Sequence, residues 1–123
     1  MKKGGYTTSQ KLGTWGERVA VLFLQKYAYK ILEQNFYTRF GEIDVVALSP
    51  NNDLTFVEVK TRRKNIQVSA EWSVTAGKLE RLRRAIDLYV LYKGEGIRYN
   101  GIAIECVAVY VGGDSVSIKK YFL

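Results

Sequence analysis

The chain has 123 residues, 47% hydrophobic and 25% charged, with a formal net charge of +7; that is enough apolar material for a single domain spanning residues 1–123 around a real core. It contains no histidine and a single cysteine, Cys106, which excludes Ser-His-Asp and Cys-His triads, histidine-ligated zinc, disulfide frameworks and cysteine-rich metal sites. The chemistry left open uses carboxylates, lysine and hard metal ions, in a soluble, reduced protein expected in the cytoplasm: no apolar run reaches the roughly 18 residues of a membrane span, and the basic start Met1-Lys2-Lys3 has no apolar stretch behind it.

The first predicted element is a helix capped by Thr8 or Ser9 and running to about Lys30. Leu12, Trp15, Val19, Leu22 and Phe23 recur at helical spacing and are expected to form its core stripe. Gly13, Gly16, Ala20 and Leu24 line another side, with Glu17 among them. Two glycines in a helix interior are costly, so they indicate a close approach by another backbone, with Glu17 carried into that contact. Three extended segments follow, from Ile31 to about Thr38, from Glu42 to Leu48 and from Leu54 to Thr61. The last two are joined by the turn formers Ser49-Pro50-Asn51-Asn52-Asp53. After an ambiguous polar stretch, a second helix is predicted from Thr75 to about Lys93, with Leu79, Leu82, Ile86, Tyr89 and Val90 on one stripe. A loop, a strongly apolar strand Ile102 to Val111 and a return strand Ser115 to Phe122 complete the chain. The order α-β-β-β-α-β-β fits an α/β three-layer sandwich, a mixed sheet flanked by helices.

A hairpin that sets Leu48 opposite Leu54 places Asp44 opposite Glu58 and Glu42 opposite Lys60. On one face Ile43, Val45, Ala47, Val57 and Val59 are apolar throughout. On the other, Val46, Leu48, Leu54 and Phe56 give way to Glu42, Asp44, Glu58 and Lys60. Both faces are apolar at the turn end, which predicts interior strands, and packing does not explain charge clustered at one end of such strands. Facing carboxylates repel, and a Mg²⁺ or Mn²⁺ ion is the natural compensation for Asp44 and Glu58. Lys60, two residues on, can stabilise a transferring phosphoryl group or orient the attacking water. The alternatives are a solvated edge-strand pair of Glu58 with Lys60, and a pairing of Glu42 with Lys60.

Basic residues gather in Arg62-Arg63-Lys64, in Lys78 with Arg81, Arg83 and Arg84, and in Lys119-Lys120. A polyanion such as nucleic acid suits this charge. Arg62, Arg63 and Lys64 follow Lys60 directly and are candidate phosphate contacts; Lys78 flanks the apolar stripe of the second helix and is a further candidate. Arg81, Arg83 and Arg84 are expected in solvent, with Arg84 nearest the polar centre. Trp72 is the candidate surface aromatic for base stacking, and Cys106 reads as an inert small hydrophobe.

These residues resemble the bacterial YraN-type family within the PD-(D/E)XK nuclease superfamily and, more distantly, the archaeal Holliday junction resolvases. The match covers nearly the whole chain: Gly13-x-x-Gly16-Glu17-x-x-Ala20, Gly41-Glu42-Ile43-Asp44, Phe56-Val57-Glu58-Val59-Lys60-Thr61-Arg62, Val74 with Lys78, and Ile118-x-x-Tyr121-Phe122. The resemblance implies a restriction-endonuclease-like core in which Asp44, Glu58 and the Val59 carbonyl bind Mg²⁺ or Mn²⁺. It further implies that Lys60 assists the water and the scissile phosphate, and that Glu17 completes the metal site. Family members usually carry Arg-Phe-Asp where this chain has Arg98-Tyr99-Asn100, so no carboxylate role carries over there. Resolvase-like relatives act as dimers, which implies a homodimer suited to a symmetric junction. The expectation is a metal-dependent DNA endonuclease acting on branched or structured DNA; the alternative is a nucleic-acid-binding protein of the same fold that does not cleave.

Overall fold

A computed structural model describes residues 8–64 and 75–123, with the side chains of Thr8 and Ser9 left aside. Val74 and Trp72 therefore lie outside the described residues, as do the expected capping side chains of Thr8 and Ser9, whose backbones begin α1. Helix α1 spans Thr8–Lys26, and strands β1 (Lys30–Thr38), β2 (Gly41–Leu48) and β3 (Leu54–Arg63) follow it. Helix α2 (Ala76–Lys93) leads through a 3-10 turn at Gly94–Gly96 into β4 (Ile102–Gly112) and β5 (Ser115–Phe122). This is the predicted order α-β-β-β-α-β-β.

The five strands lie in sequence order in one sheet. All neighbours are antiparallel except β3 and β4, because a parallel pair needs a long crossover and α2 supplies it. Val45, Ala47, Val57, Val107 and Val109 pack with Ala20 and Leu24 of α1 on one face. Val46, Leu54 and Phe56 pack with Ala85, Ile86 and Tyr89 of α2 on the other. Both faces of β2 and β3 are therefore buried, as their continuous apolar runs predict. Phe36 and Phe56 meet the Tyr89 ring edge-on at 5.0 and 5.5 Å between centroids, a favourable aromatic arrangement. The Thr75 hydroxyl caps α2 by accepting from the Lys78 N–H at 3.1 Å.

Two expectations for α1 are corrected. The helix stops at Lys26 and not near Lys30, because Ala28 turns left-handed at φ 69° and the Tyr29 N–H bonds back to the Leu24 carbonyl at 2.9 Å. Its buried side is the small-residue one: Ala20 and Leu24 are fully buried, while Trp15 and Leu22 are 38% and 65% exposed. Close approach decides this. A Cβ added at Gly16 would sit 1.9 Å from Thr61 Oγ1 of β3, so α1 reaches this closeness to Thr61 only because residue 16 has no side chain. The neighbour is a threonine side chain and not a backbone, and Gly13 has open space around it.

Candidate metal centre

The hairpin register is the assumed one for four pairs, from Leu48 with Leu54 to Val45 with Val57. There the ladder ends. Beyond it β2 stays paired with β1 as far as Gly41, and β3 stays paired with β4 as far as Arg63, so the sheet forks between β2 and β3. Asp44 stands at the fork. Its Oδ2 accepts from the Val59 N–H at 2.8 Å, a side chain taking the place of the missing backbone partner. The strict alternation of β2 breaks at the same point: Ile43 packs on the α2 side with Val46, whereas Val45 packs on the α1 side. Ile43 thus leaves the face predicted for it.

The fork gathers acids from three elements. One carboxylate oxygen each from Glu17, Glu42 and Asp44 lies within 4.8 Å of the others. Glu17 arrives from α1 because Gly16 seats that helix against Thr61, as the close-approach reading required. Asp44 is 8% exposed. Burial and the charge of Glu58 push its carboxyl up to about 8 against the pull of the Val59 N–H, and Glu17 and Glu42 add to the repulsion. Among the described residues its other oxygen, Oδ1, has no donor. A buried carboxylate oxygen without a donor, crowded by hard oxygen ligands of like charge, fits a divalent cation.

Glu58 is placed differently from the expectation. It stands outside the close trio and pairs with Lys60, 3.3 Å from Oε1 to Nζ. The backbone ladder ends before Asp44 and Glu58 would pair, yet Glu58 remains the acid whose charge acts most strongly on Asp44, while Lys60 forms an ion pair with Glu58 on its own strand. Glu42 joins Glu17 and Asp44, so the alternative pairing of Glu42 with Lys60 is not formed. Val59 contributes its N–H to Asp44, and its side chain packs against the α1-side core.

Two basic surfaces flank the fork and share Lys60. On the α2 side, Glu42, Glu58 and Lys60 line a cavity with Lys78 and Arg81. On the α1 side, Glu17, Val59 and Lys60 line a groove with Arg62 and Arg63. Lys64 turns away, its Nζ 2.6 Å from Ser115 Oγ. Arg81, and not Arg84, is the arginine of α2 at the polar centre; Arg84 pairs with Glu80 and lies over the Phe40 ring. Asn100 is far from the acids and pins the β2–β3 turn through the carbonyls of Asn51 and Asn52. Cys106 is buried in β4, its thiol pushed up to about 11 mainly by that burial.

Two residues of β1 were not reached by the sequence reading. Asn35 Nδ2 donates to Glu17 Oε1 at 3.0 Å, and Tyr37 is the cross-strand partner of Glu42, whose carboxylate raises the pKa of its hydroxyl. Asparagine inside a strand is disfavoured, and that was the available signal. No described helix is long and apolar enough to cross a membrane.

The model of the uncharacterised protein family UPF0102 matches residues 16–109, a span that holds Glu17, the fork and both basic surfaces. A UPF0102 protein of Syntrophomonas wolfei is 48% identical over 82 residues, covering 67% of this chain and 70% of its own. One from Clostridium botulinum is 35% identical over 85 residues, covering 69% and 68%, and one from Bifidobacterium longum is 29% identical over 102 residues, covering 83% and 82%. With a family model matched over most of its length and relatives at this identity, the chain belongs to family UPF0102.

Proposed function

We propose that this protein is a Mg²⁺- or Mn²⁺-dependent DNA endonuclease of the PD-(D/E)XK kind, a phosphodiester hydrolase for branched or structured DNA. The observation that carries the reading is the fork in the sheet. It brings Glu17, Glu42 and Asp44 within 4.8 Å of one another beside the Lys60 amine.

Asp44, Glu17 and Glu42 would hold the cation, with Glu58 near enough to act on Asp44 by its charge. When bound, such an ion polarises a phosphoryl oxygen and lowers the pKa of a coordinated water. The remaining work belongs to the chain. Lys60 presents an ammonium to both surfaces, where it can meet the charge that develops on a phosphate. Arg62 and Arg63 on one side and Lys78 and Arg81 on the other hold the flanking backbone phosphates, contacts that fix register without reading sequence. The burial of Asp44 lowers the local dielectric and strengthens each of these interactions.

The test is cleavage with Mn²⁺ across single-stranded, duplex, flapped and four-way DNA, with Asp44→Asn and Lys60→Ala alongside. The expected result is cleavage by the native protein and a loss of at least about a hundredfold in both variants. Salt-dependent DNA binding that survives both substitutions, with no cleavage by the native protein on any substrate, would replace this reading with the non-cleaving binder.

A further inference from the structure

The acids at the fork fall into two kinds. Glu58 is neutralised by a cation of its own chain, Lys60. The close trio is different: among the described residues none of Glu17, Glu42 and Asp44 has an ion-pair partner. Neutral donors hold two of them, Asp44 by the Val59 N–H and Glu17 by the Asn35 amide, and the hydroxyl of Tyr37, the cross-strand partner of Glu42, is the neutral donor available to the third. A neutral donor orients a carboxylate while leaving its negative charge to act elsewhere.

Two of those donors come from one edge strand. In β1, Gln34 pairs with Val45 and Phe36 with Ile43, which puts Asn35 beside the Asp44 position. Its φ of 53° is left-handed, a conformation that asparagine tolerates better than other side-chain-bearing residues and that strands seldom use. Tyr37 is the cross-strand partner of Glu42 and is 76% exposed. Core packing explains neither residue.

We propose that β1 is a working wall of the site, in which Asn35 and Tyr37 are positioning residues that fix the Glu17 and Glu42 carboxylates around Asp44 for a divalent cation. The inference rests on the metal-centre reading and goes beyond it, because it assigns two neutral side chains that are not ligands. Their removal weakens cation affinity without removing a ligand, as loss of a ligand-orienting partner does elsewhere.

The experiment is calorimetric titration of the purified protein with Mn²⁺ alone, with thermal melting of the same samples in EDTA. The variants are Asn35→Ala, Asn35→Gly and Tyr37→Phe, with Asp44→Asn as reference. Asn35→Gly keeps the left-handed backbone accessible and deletes only the amide. Tyr37→Phe keeps the ring and deletes only the hydroxyl. The expected result is weakening of Mn²⁺ binding by about tenfold or more in both Asn35 variants and by about threefold in Tyr37→Phe, with the melting temperature of Tyr37→Phe unchanged. If the native protein and Asn35→Gly and Tyr37→Phe all bind Mn²⁺ within about twofold of one another, the role of β1 is overturned and the metal centre stands. If the native protein binds no Mn²⁺, the metal centre itself fails and the inference falls with it.

Discussion

The two ends of the sheet each bury a carboxylate, and they treat it in opposite ways. At the closed end, near the β2–β3 turn, Glu105 is 2% exposed and accepts from the Tyr29 hydroxyl at 2.9 Å, with Lys120 Nζ at 3.3 Å from its other oxygen. Its charge is matched within the chain. At the forked end Asp44 is 8% exposed, holds one backbone N–H and is surrounded by Glu17, Glu42 and Glu58. Burying an ion without a counter-charge is expensive, so the closed end reads as architecture and the forked end as a place that awaits positive charge.

The sharpest way to break this contrast is to neutralise each acid in turn. Glu105→Ala strands Lys120 and the Tyr29 hydroxyl and should cost about 2–3 kcal/mol in denaturant unfolding. Asp44→Asn should cost nothing in metal-free protein, since the amide oxygen still accepts from Val59 and the repulsion is gone. The pH dependence follows from the same difference. In the folded, metal-free chain Asp44 ionises at about 8, against 3.8 ordinarily. The folded state therefore binds the extra proton between those values, and stability falls as pH rises from about 4 through about 8. Urea midpoints in EDTA should decline over that window in the native protein and decline less in Asp44→Asn; a parallel decline in both would show that Asp44 is not the source.

A smaller effect tests how the forked end is assembled. Gly16→Ala drives a Cβ into Thr61 and should destabilise by about 1–3 kcal/mol while displacing Glu17. Gly13→Ala, in open space three residues earlier, should stabilise by up to about 1 kcal/mol. Equal melting shifts for the two would remove the argument that close approach seats α1. The mildest effect concerns the basic rim. Lys78→Ala should lower the salt slope of DNA binding by about 1, and Lys64→Ala should change it less, because that amine is engaged with Ser115.

Much was legible in the chain, and for local reasons. Turn formers between two apolar runs specify the β2–β3 hairpin, and burial on both faces specifies its register, since a slip of one residue would turn Val46, Phe56 and their neighbours outward. Acids at the far end of such strands, and a glutamate beside Gly16, were visible as charge without a packing reason. The inward side of α1 was not legible, because the bulkier stripe of Trp15 and Leu22 is the more apolar one and only the proximity of Thr61 reverses the choice. The fork was equally hidden. It depends on β2 following β1 while β3 follows β4, a competition among long-range pairings that neither strand encodes alone. That parting of the sheet placed Glu42 with Glu17 and Asp44, gave Lys60 to Glu58, and brought Asn35 and Tyr37 to the acids: spacing along a chain determines which face a side chain takes, but the distance between groups on different strands is decided by how the whole sheet closes.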